Sequence, residues 1–404
     1  MEAADRERVL LSGVVCAILF AQVLLYPGLP NIVDALGGGG EIGGSQVFLA
    51  VEFAAYILFA SVWGAISDAT ARRVALVAVA AVGAAVGYLA LAALPTLGSF
   101  PFEVVLAVRA FQGAMTIGAL SLGMTMLMDL PGGHGRNMGA AGIAIGAGVA
   151  VGSPVGGQLA DQGALLPLWA AGGVMLLSGL AVLGAADRVP ARARTGVRGV
   201  RDAMSSLTGT PSLSIPYAFG FIDRLTAGFF ALVGTFFFLD VFGLGPAERG
   251  LALALFFVPF ALLQYPFGKL SDRIGRRIPV VVGSLAYGVG VAAVGFAGWL
   301  ELLPAAAAAM VAVGVIGALM APATMALVTD LAGEDQRGAA MGGFNIFGSL
   351  GFFVGIVLGG SLADAVGYLP AFLAVGLLEI AIALVALGPL LRVELPVEDA
   401  IPFR

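Results

Sequence analysis

The sequence predicts an all-α membrane protein with twelve transmembrane helices in two six-helix bundles related by an internal pseudo-two-fold. Three observations lead to this prediction: an apolar composition, twelve apolar stretches of membrane-spanning length, and a motif that recurs half a chain apart. Of 404 residues, 60% are hydrophobic and 11% are charged, and the mean hydropathy is +1.02. Because so few polar residues cannot cover a water-soluble globule, most of the chain is predicted to lie in lipid.

The apolar stretches predict helices rather than barrel strands, which would be segments of about ten alternating residues. The predicted spans are 9–30, 46–67, 74–95, 102–126, 138–160, 165–186, 213–240, 249–270, 279–299, 303–329, 339–362 and 368–391. A cleavable signal peptide is the alternative for 9–30. This stretch is long and has no convincing cleavage site, so we expect the first helix to remain in the protein.

The longest polar stretch separates the spans into two groups of six. It covers residues 187–212 and contains five arginines. We therefore predict an N-terminal bundle of residues 1–186, a cytoplasmic linker of 187–212 and a C-terminal bundle of 213–404.

The basic residues predict the orientation. With the N-terminus inside, 17 of the 20 Lys and Arg residues lie on one side, in the termini, the linker and the turns. Arg249, at the start of a span, would face out, and Arg109 and Arg224 fall within spans. Because cytoplasmic loops are rich in Lys and Arg, we predict a protein of the cytoplasmic membrane with both termini in the cytoplasm. We expect a monomer in the lipid bilayer, with no nucleic acid and no obligate protein partner.

A charged turn occurs twice, each time after an apolar stretch. It is GKLSDRIGRR at 268–277 and GAISDATARR at 64–73, which are 204 residues apart. Two further pairs repeat with offsets of 201 and 203: Asp129 and Arg136 with Asp330 and Arg337, and GGQLAD at 156–161 with GGSLAD at 359–364. The nearly constant offset predicts two halves built on one plan, a layout found in alternating-access carriers.

On these residues the whole chain resembles the major facilitator superfamily of transporters. The family's inner-turn motif is complete in the second half, as Gly268, Asp272, Arg273, Gly275, Arg276 and Arg277. The first half keeps Gly64, Asp68, Arg72 and Arg73 but has Ala69 and Ala71 instead of Arg and Gly. In most of the family the first copy is the better kept. The resemblance implies that these turns act as gates, and the alternative is a simple positive-inside turn.

The fourth span contains a second family pattern, Arg109-Ala-Phe-Gln112-Gly113. An Arg within a span should face the bundle interior and hold a partner. The resemblance implies a role for Arg109 in proton coupling, and the alternative is a structural Arg bonded to backbone carbonyls. Glu52 also lies toward the outer face, and we expect it to pair with Arg109 and hold one state closed.

The fifth span contains a glycine-proline pattern similar to that of the drug and proton antiporters of the family, although its proline comes one residue late. Close packing through the glycines and a bend at the proline would suit a helix that rocks, and ordinary small-residue packing is the alternative. The residues are Gly148, Gly152, Pro154, Gly156 and Gly157.

Three more ionisable residues fall within spans. A carboxyl group in a low-dielectric environment can bind a proton near neutral pH. We expect Asp223 to be the proton carrier, because the seventh helix lines the cavity in the family, and a salt bridge to Arg224 is the alternative. Glu379 lies in the peripheral twelfth span, so we expect it to have a packing partner or a dimer contact.

The residues expected to line the cavity are mostly apolar, which favours lipophilic substrates. These include lipophilic cations, which a carboxylate and aromatic rings could bind. Phe and Met residues at such places can also be core or lipid-facing. The set is Gln22, Tyr26, Gln112, Met115, Thr116, Phe219, Phe229 and Met320.

The residue inventory argues against an enzyme. One His, His134, and one Cys, Cys16, allow neither a disulfide nor a cysteine metal cluster within the chain, and no phosphate-binding GxxxxGK[ST] loop occurs. We therefore expect no cofactor and no metal, with transport driven by a proton gradient or, alternatively, a sodium gradient. The prediction is proton-coupled efflux of lipophilic small molecules, and the alternative is an uptake symporter for a sugar, organic acid or nucleoside.

Overall fold

The computed structural model describes residues 3–131, 134–187, 210–332 and 337–392. Most of these residues are helical, and there is no strand among them. The helices are α1 (Ala3–Val23), α2 (Leu29–Ala35), α3 (Ile42–Thr70), α4 (Arg73–Leu97), α5 (Phe102–Met128), α6 (His134–Gln162), α7 (Leu166–Ala181), α8 (Ser214–Phe229), α9 (Thr235–Asp240), α10 (Pro246–Ile274), α11 (Arg277–Trp299), α12 (Leu303–Leu331), α13 (Arg337–Val366) and α14 (Tyr368–Arg392).

In the described part of the chain, 11 helical segments are long and apolar enough to cross a membrane. The first predicted span, 9–30, is not among them. Its helix ends at Val23, and α2 begins only at Leu29, after a turn that contains Pro27. Because proline has no N–H group to donate, it interrupts the helix. At its N-terminal end, α1 contains the charged residues Asp5 to Arg8, so the apolar segment does not extend in that direction either.

The seventh predicted span is one helical run, Pro211–Asp240, with an irregular middle. α8 passes into a π-helical turn at Phe230–Gly234, which leads directly into α9. Single π-helical turns within longer helices are uncommon and often lie near functional sites.

The chain forms two compact units. The first contains the described residues up to 187 together with Gly234–Ala261, and the second contains the described residues of 210–233 and those from 262 onward. One boundary therefore falls at the π-helical turn and another within α10. Residues 188–209, most of the predicted linker, lie outside the described residues. The division at 186 and 213 stays a prediction.

Each unit has its own packed helices. In the first unit α1 packs on α6, and α5 packs between α3 and α4. In the second unit α8 packs on α13, and α11 packs on both α12 and α14. The core of the second unit includes Phe219, Val280 and Leu327, all fully buried. These pairings bring buried polar residues of different helices together.

Candidate functional site

Arg109 of α5 and Glu52 of α3 form a buried ion pair in the first unit. Nη2 of Arg109 lies 2.5 Å from Oε2 of Glu52, and both side chains are 0% exposed. The helices can approach here because Gly113 lies against the backbone of Glu52: a Cβ on Gly113 would be 2.9 Å from the Glu52 carbonyl oxygen. A buried charge needs such a partner, because an unpaired one is strongly destabilising.

Gln112 joins the ion pair to a second layer of hydrogen bonds. Nη1 of Arg109 donates to Oε1 of Gln112 at 2.6 Å, and Nε2 of Gln112 donates to Oγ1 of Thr116 at 2.6 Å. Residues three and four apart lie on one face of a helix, so Arg109, Gln112 and Thr116 form a continuous polar stripe along α5. The stripe is buried, so its hydrogen bonds are made within the protein rather than to water.

Aromatic side chains enclose this pair. The Arg109 guanidinium lies 4.4 Å from the ring centroid of Phe48, a cation–π contact. The hydroxyl of Tyr56 donates to Oε1 of Glu52 at 3.4 Å. In the described part of the chain, Nε of Arg109 has no hydrogen-bond partner. The guanidinium therefore has donor capacity that this conformation leaves unused.

The glycines of α6 allow two close helix contacts within the first unit. Toward α1, a Cβ on Gly148 would lie 2.5 Å from the Cys16 carbonyl oxygen, one on Gly152 would lie 3.1 Å from that of Phe20, and one on Gly156 would overlap the Leu24 backbone. The spacing of four puts these glycines on one face. The helix continues through Pro154 without a break.

Gly157 lies on another face of α6, against α10. A Cβ there would be 2.5 Å from the Pro246 carbonyl oxygen and 3.0 Å from Cα of Gly250. Next to it, the hydroxyl of Ser153 donates to the Gly250 carbonyl oxygen at 3.0 Å. The two helices thus meet backbone to backbone, with one side-chain hydrogen bond holding the contact.

Arg249 and Asn31 form a further polar contact, which the sequence did not predict. Arg249 lies in the first turn of α10 and is only 1% exposed. Its Nη2 donates to Oδ1 of Asn31 at 2.8 Å. The sequence did contain one indication of such a contact, because Arg249 is the single basic residue predicted to face out.

In the first-half charged turn, Arg73 makes the inter-helix contacts. It forms an ion pair with Asp129, which follows α5, and its Nε donates to the Ser67 hydroxyl at 3.3 Å. Asp68 is half-buried and Arg72 is exposed, and neither forms an ion pair within the described ranges. Ala71 has a positive φ of 54°, a conformation that favours glycine.

In the second-half turn, Arg276 takes this place. Its Nη1 lies 2.6 Å from Oδ1 of Asp272, and its Nε lies 3.1 Å from Oδ2 of Asp330. Nη1 also donates to the Ser271 hydroxyl at 2.9 Å. Arg273 is exposed and Arg277 is half-buried. Both halves thus join an arginine to a serine before it and to an aspartate at the end of a neighbouring helix.

Asp223 lies in α8 of the second unit and is half-buried. Its interaction with Arg224 is electrostatic only, and the described residues contain no direct ion pair between the two side chains. The Arg224 side chain instead packs along α13, where Gly348 leaves room for it. Asp223 and Arg224 therefore interact at a distance and not through a direct ion pair.

The residues predicted to line a cavity are packed inside their own units in this conformation. Phe229 meets Phe372 edge to face at 4.8 Å between ring centroids, and Met320 packs against Gly283. Their role in a cavity stays a prediction. Met115 is half-buried, and the remaining members are buried: Gln22, Tyr26, Gln112, Thr116, Phe219, Phe229 and Met320.

Comparison with known proteins gives the family. The model of the Major Facilitator Superfamily matches residues 11–245 and 220–402. The chain therefore belongs to this superfamily of membrane transporters. It resembles the drug/proton antiporters among them: it is 28% identical to the tetracycline resistance protein, class G, of Vibrio anguillarum over 81% of this chain and 85% of that protein.

Solved structures share the fold. The human organic anion transporter MFSD10 superposes with a TM-score of 0.75 at 18% identity, covering 96% of this chain and 100% of that one. A D-xylose–proton symporter superposes with a TM-score of 0.73 at 16% identity, covering 94% of this chain and 96% of that one. At these identities the similarity establishes the fold alone.

Proposed function

We propose that this protein is a secondary transporter that exports lipophilic small molecules in exchange for protons by alternating access. The observation that carries the proposal is the similarity to a tetracycline resistance protein along 81% of the chain. It agrees with the antiporter-like glycines of α6 and with the scarcity of polar residues among the predicted cavity residues. No cofactor is needed, because the energy comes from an ion gradient.

Asp223 is proposed as the proton carrier. It is half-buried, has no direct ion pair among the described residues, and lies in a helix that the family uses to line its cavity. A carboxylate in such a place can bind a proton when the cavity opens to an acidic side. Sodium remains the alternative ion.

Arg109, Glu52 and Gln112 are proposed to act as a switch that senses the state of the first half. Protonation of Glu52 would remove the negative charge that Arg109 now holds at 2.5 Å. The guanidinium, whose Nε has no hydrogen-bond partner among the described residues, could then form a hydrogen bond or an ion pair with a different group. A polar group with two discrete sets of partners is one physical basis for two conformations.

The two charged turns are proposed as inner gates. Asp68, Arg72 and Arg73 belong to the first gate, and the second gate contains Asp272, Arg273, Arg276 and Arg277. Ion pairs at helix ends can be made in one state and broken in the other at small cost, because they lie close to water.

The proposed architecture has twelve spans, with α1 and α2 together forming the first. Two bundles of residues 1–186 and 213–404 are joined by a linker of 187–212 and related by a pseudo-two-fold. We propose a monomer in the cytoplasmic membrane, with both termini in the cytoplasm because the basic residues concentrate on that side.

A vesicle assay tests the function. The purified protein is placed in acid-loaded liposomes that contain a pH dye, and lipophilic cations are added outside. Loss of internal protons on addition of a cation, abolished in Asp223→Asn and kept in Asp364→Asn, is the expected result. Asp364 is exposed in the same half and serves as the matched control. Proton entry together with a sugar or organic acid would instead show symport and contradict export.

A further inference from the structure

Glu379 is a carboxyl group enclosed within the second unit. It lies in the middle of α14 and is 0% exposed. α11 approaches α14 very closely there: a Cβ on Gly288 would be 2.5 Å from the Gly376 carbonyl oxygen and 3.2 Å from Cβ of Glu379. This contact seals the carboxyl group from lipid and water. Its hydrogen-bonding partner is Ser284 of α11, inside the same unit.

The hydrogen bonds around Glu379 lack one donor. The Ser284 hydroxyl donates to Oε1, whereas Oε2 has no hydrogen-bond partner at standard geometry in the described part of the chain. Thr226 of α8 lies nearby, but its hydroxyl proton is directed to the Ile222 carbonyl oxygen at 3.2 Å. A buried carboxylate oxygen without a donor is costly. A proton on Oε2 would complete the set, because it could be donated to the Thr226 oxygen.

The charges around Glu379 do not include a cation. The groups that face it are Tyr287 from α11 and Asp223 from α8, and α13 contributes no charged group within the described residues. No described Arg or Lys forms an ion pair with Glu379. An ionised carboxylate would therefore be buried next to another acid without neutralisation, the least favourable arrangement for a charge in a membrane.

A metal ion fits this place poorly. The described residues contain no group of three His, Cys, Asp or Glu side chains that could hold one. The hydroxyl of Ser284 is committed to donating to Glu379, so it does not point its lone pairs at a shared cation. The ligand chemistry is that of a single proton.

We propose that Glu379 is a proton-binding site of the second half, with the proton on Oε2 and Thr226 as its acceptor. Asp223 precedes Thr226 by three residues on α8, so both lie on one helix face. Because two nearby acids resist simultaneous ionisation, loss of the proton from one is linked to retention by the other. Proton binding at Glu379 does not depend on the direction of transport; its use in coupling rests on the proposed function.

Infrared spectroscopy of the purified protein tests the site without any substrate. The carbonyl stretch of a protonated, buried carboxylic acid is expected at neutral pH, lost in Glu379→Gln and kept in Asp364→Asn. The glutamine variant preserves the size of the side chain and can accept the Ser284 hydrogen bond, so we expect it to fold. An unchanged band in correctly folded Glu379→Gln, or the absence of any such band in the parent protein, would overturn the proposal.

Two further variants keep Glu379 itself in place. Ser284→Ala removes one hydrogen bond from the acid, so the band should move to the higher frequency of a less hydrogen-bonded carbonyl. Asp223→Asn removes the neighbouring acid, so the pH dependence of the band should change if the two acids are linked. A band that stays in place in Ser284→Ala contradicts the assignment to Glu379. An unchanged pH dependence of the band in Asp223→Asn contradicts the linkage. Both results stand apart from the vesicle assay.

Discussion

Nη2 of Arg109 and Oε2 of Glu52 lie 2.5 Å apart, and neither side chain has any exposed surface. Each charge is thus the other's main compensation in a medium that hydrates neither of them. Gln112 also stabilises the guanidinium, because its Oε1 accepts a hydrogen bond from Nη1 of Arg109 at 2.6 Å. Because the two charges lie on different helices, α5 and α3, any movement of one helix along the other changes the electrostatic energy of the first unit.

Removing one partner of this pair is expected to destabilise the protein. Arg109→Ala leaves Glu52 buried without a cation, which costs about 3–5 kcal/mol. Arg109→Ala combined with Glu52→Ala removes both charges and should cost clearly less than the sum of the single changes. Unfolding of the four proteins in detergent measures this coupling, and additive effects would contradict a direct pair.

Transport by the Arg109 variants should separate coupling from movement. Arg109→Ala is expected to abolish uphill transport while sparing exchange of substrate across the membrane, because exchange needs no proton step. Arg109→Lys keeps the charge but cannot donate to Glu52 and Gln112 in the same planar geometry, so we expect partial activity. Full gradient-driven transport by Arg109→Ala would remove it from the coupling mechanism.

The charged turn of the first half should be stabilised by a glycine at residue 71. Ala71 has φ 54°, whereas Gly275 occupies the matching place of the second turn with φ 84°. A left-handed conformation costs a residue with a Cβ about 1–2 kcal/mol, partly offset by the greater freedom of glycine in the unfolded chain. Ala71→Gly should therefore stabilise the protein by up to about 1 kcal/mol, and Gly275→Ala should destabilise it. Thermal unfolding checks both, and the same sign for the two changes would argue against strain.

Asp272→Asn should reduce turnover without weakening the fold. Asp272 is 62% exposed, so its ion pair with Arg276 contributes at most about 1 kcal/mol to stability. If the turn acts as a gate, transport falls severely while membrane insertion and the unfolding temperature remain close to those of the parent. Equal transport by the variant would rule out a gating role for Asp272.

Gly157→Ala should disfavour the contact of α6 with α10. The added methyl group would lie 2.5 Å from the Pro246 carbonyl oxygen, and overpacking of this kind costs about 1–3 kcal/mol. Conformations in which the helices are apart should gain population. Gly173→Ala on α7 is the matched control, because no atom lies within 4 Å of its Cβ.

Cysteine labelling measures this shift. In a Cys16→Ser background, Gln22→Cys is reacted with an impermeant maleimide added outside. The reaction should be about tenfold faster in Gly157→Ala if the contact loses about 1.4 kcal/mol, and unchanged in Gly173→Ala. Equal rates in both would mean that this contact does not limit access to residue 22.

The sequence identified those site residues that are unusual in their own segment of the chain. Arg109 and Glu52 stood out because charges are rare in apolar stretches, and the α6 glycines stood out because of their spacing. Contacts between residues far apart in the chain had no such signal. Asn31 is an ordinary polar residue in the sequence, and only the structure shows that its Oδ1 lies 2.8 Å from Nη2 of Arg249. The hydrogen bond between Ser284 and Glu379 could not be predicted either, because a single serine in an apolar helix is not a distinctive signal.

The first helix illustrates a different difficulty. Hydropathy averages over a window, so residues 9–30 form one apolar stretch, yet the chain cannot remain helical through Pro27. The π-helical turn at Phe230–Gly234 was also unpredictable, because Phe, Ala, Leu and Val are ordinary helix and strand formers and its last residue is one of 60 glycines in the chain.

That turn has a consequence for the register of the seventh span. A π-helical turn accommodates one residue more than an α-helical turn, so it resembles a single-residue insertion retained within a helix. Each residue of an α-helix turns the chain by about 100°, so deleting one residue between 230 and 234 would regularise the helix. The deletion would also shorten the helical run Pro211–Asp240 by one residue. The helical register of the seventh span is therefore encoded by the length of this segment as much as by any side chain.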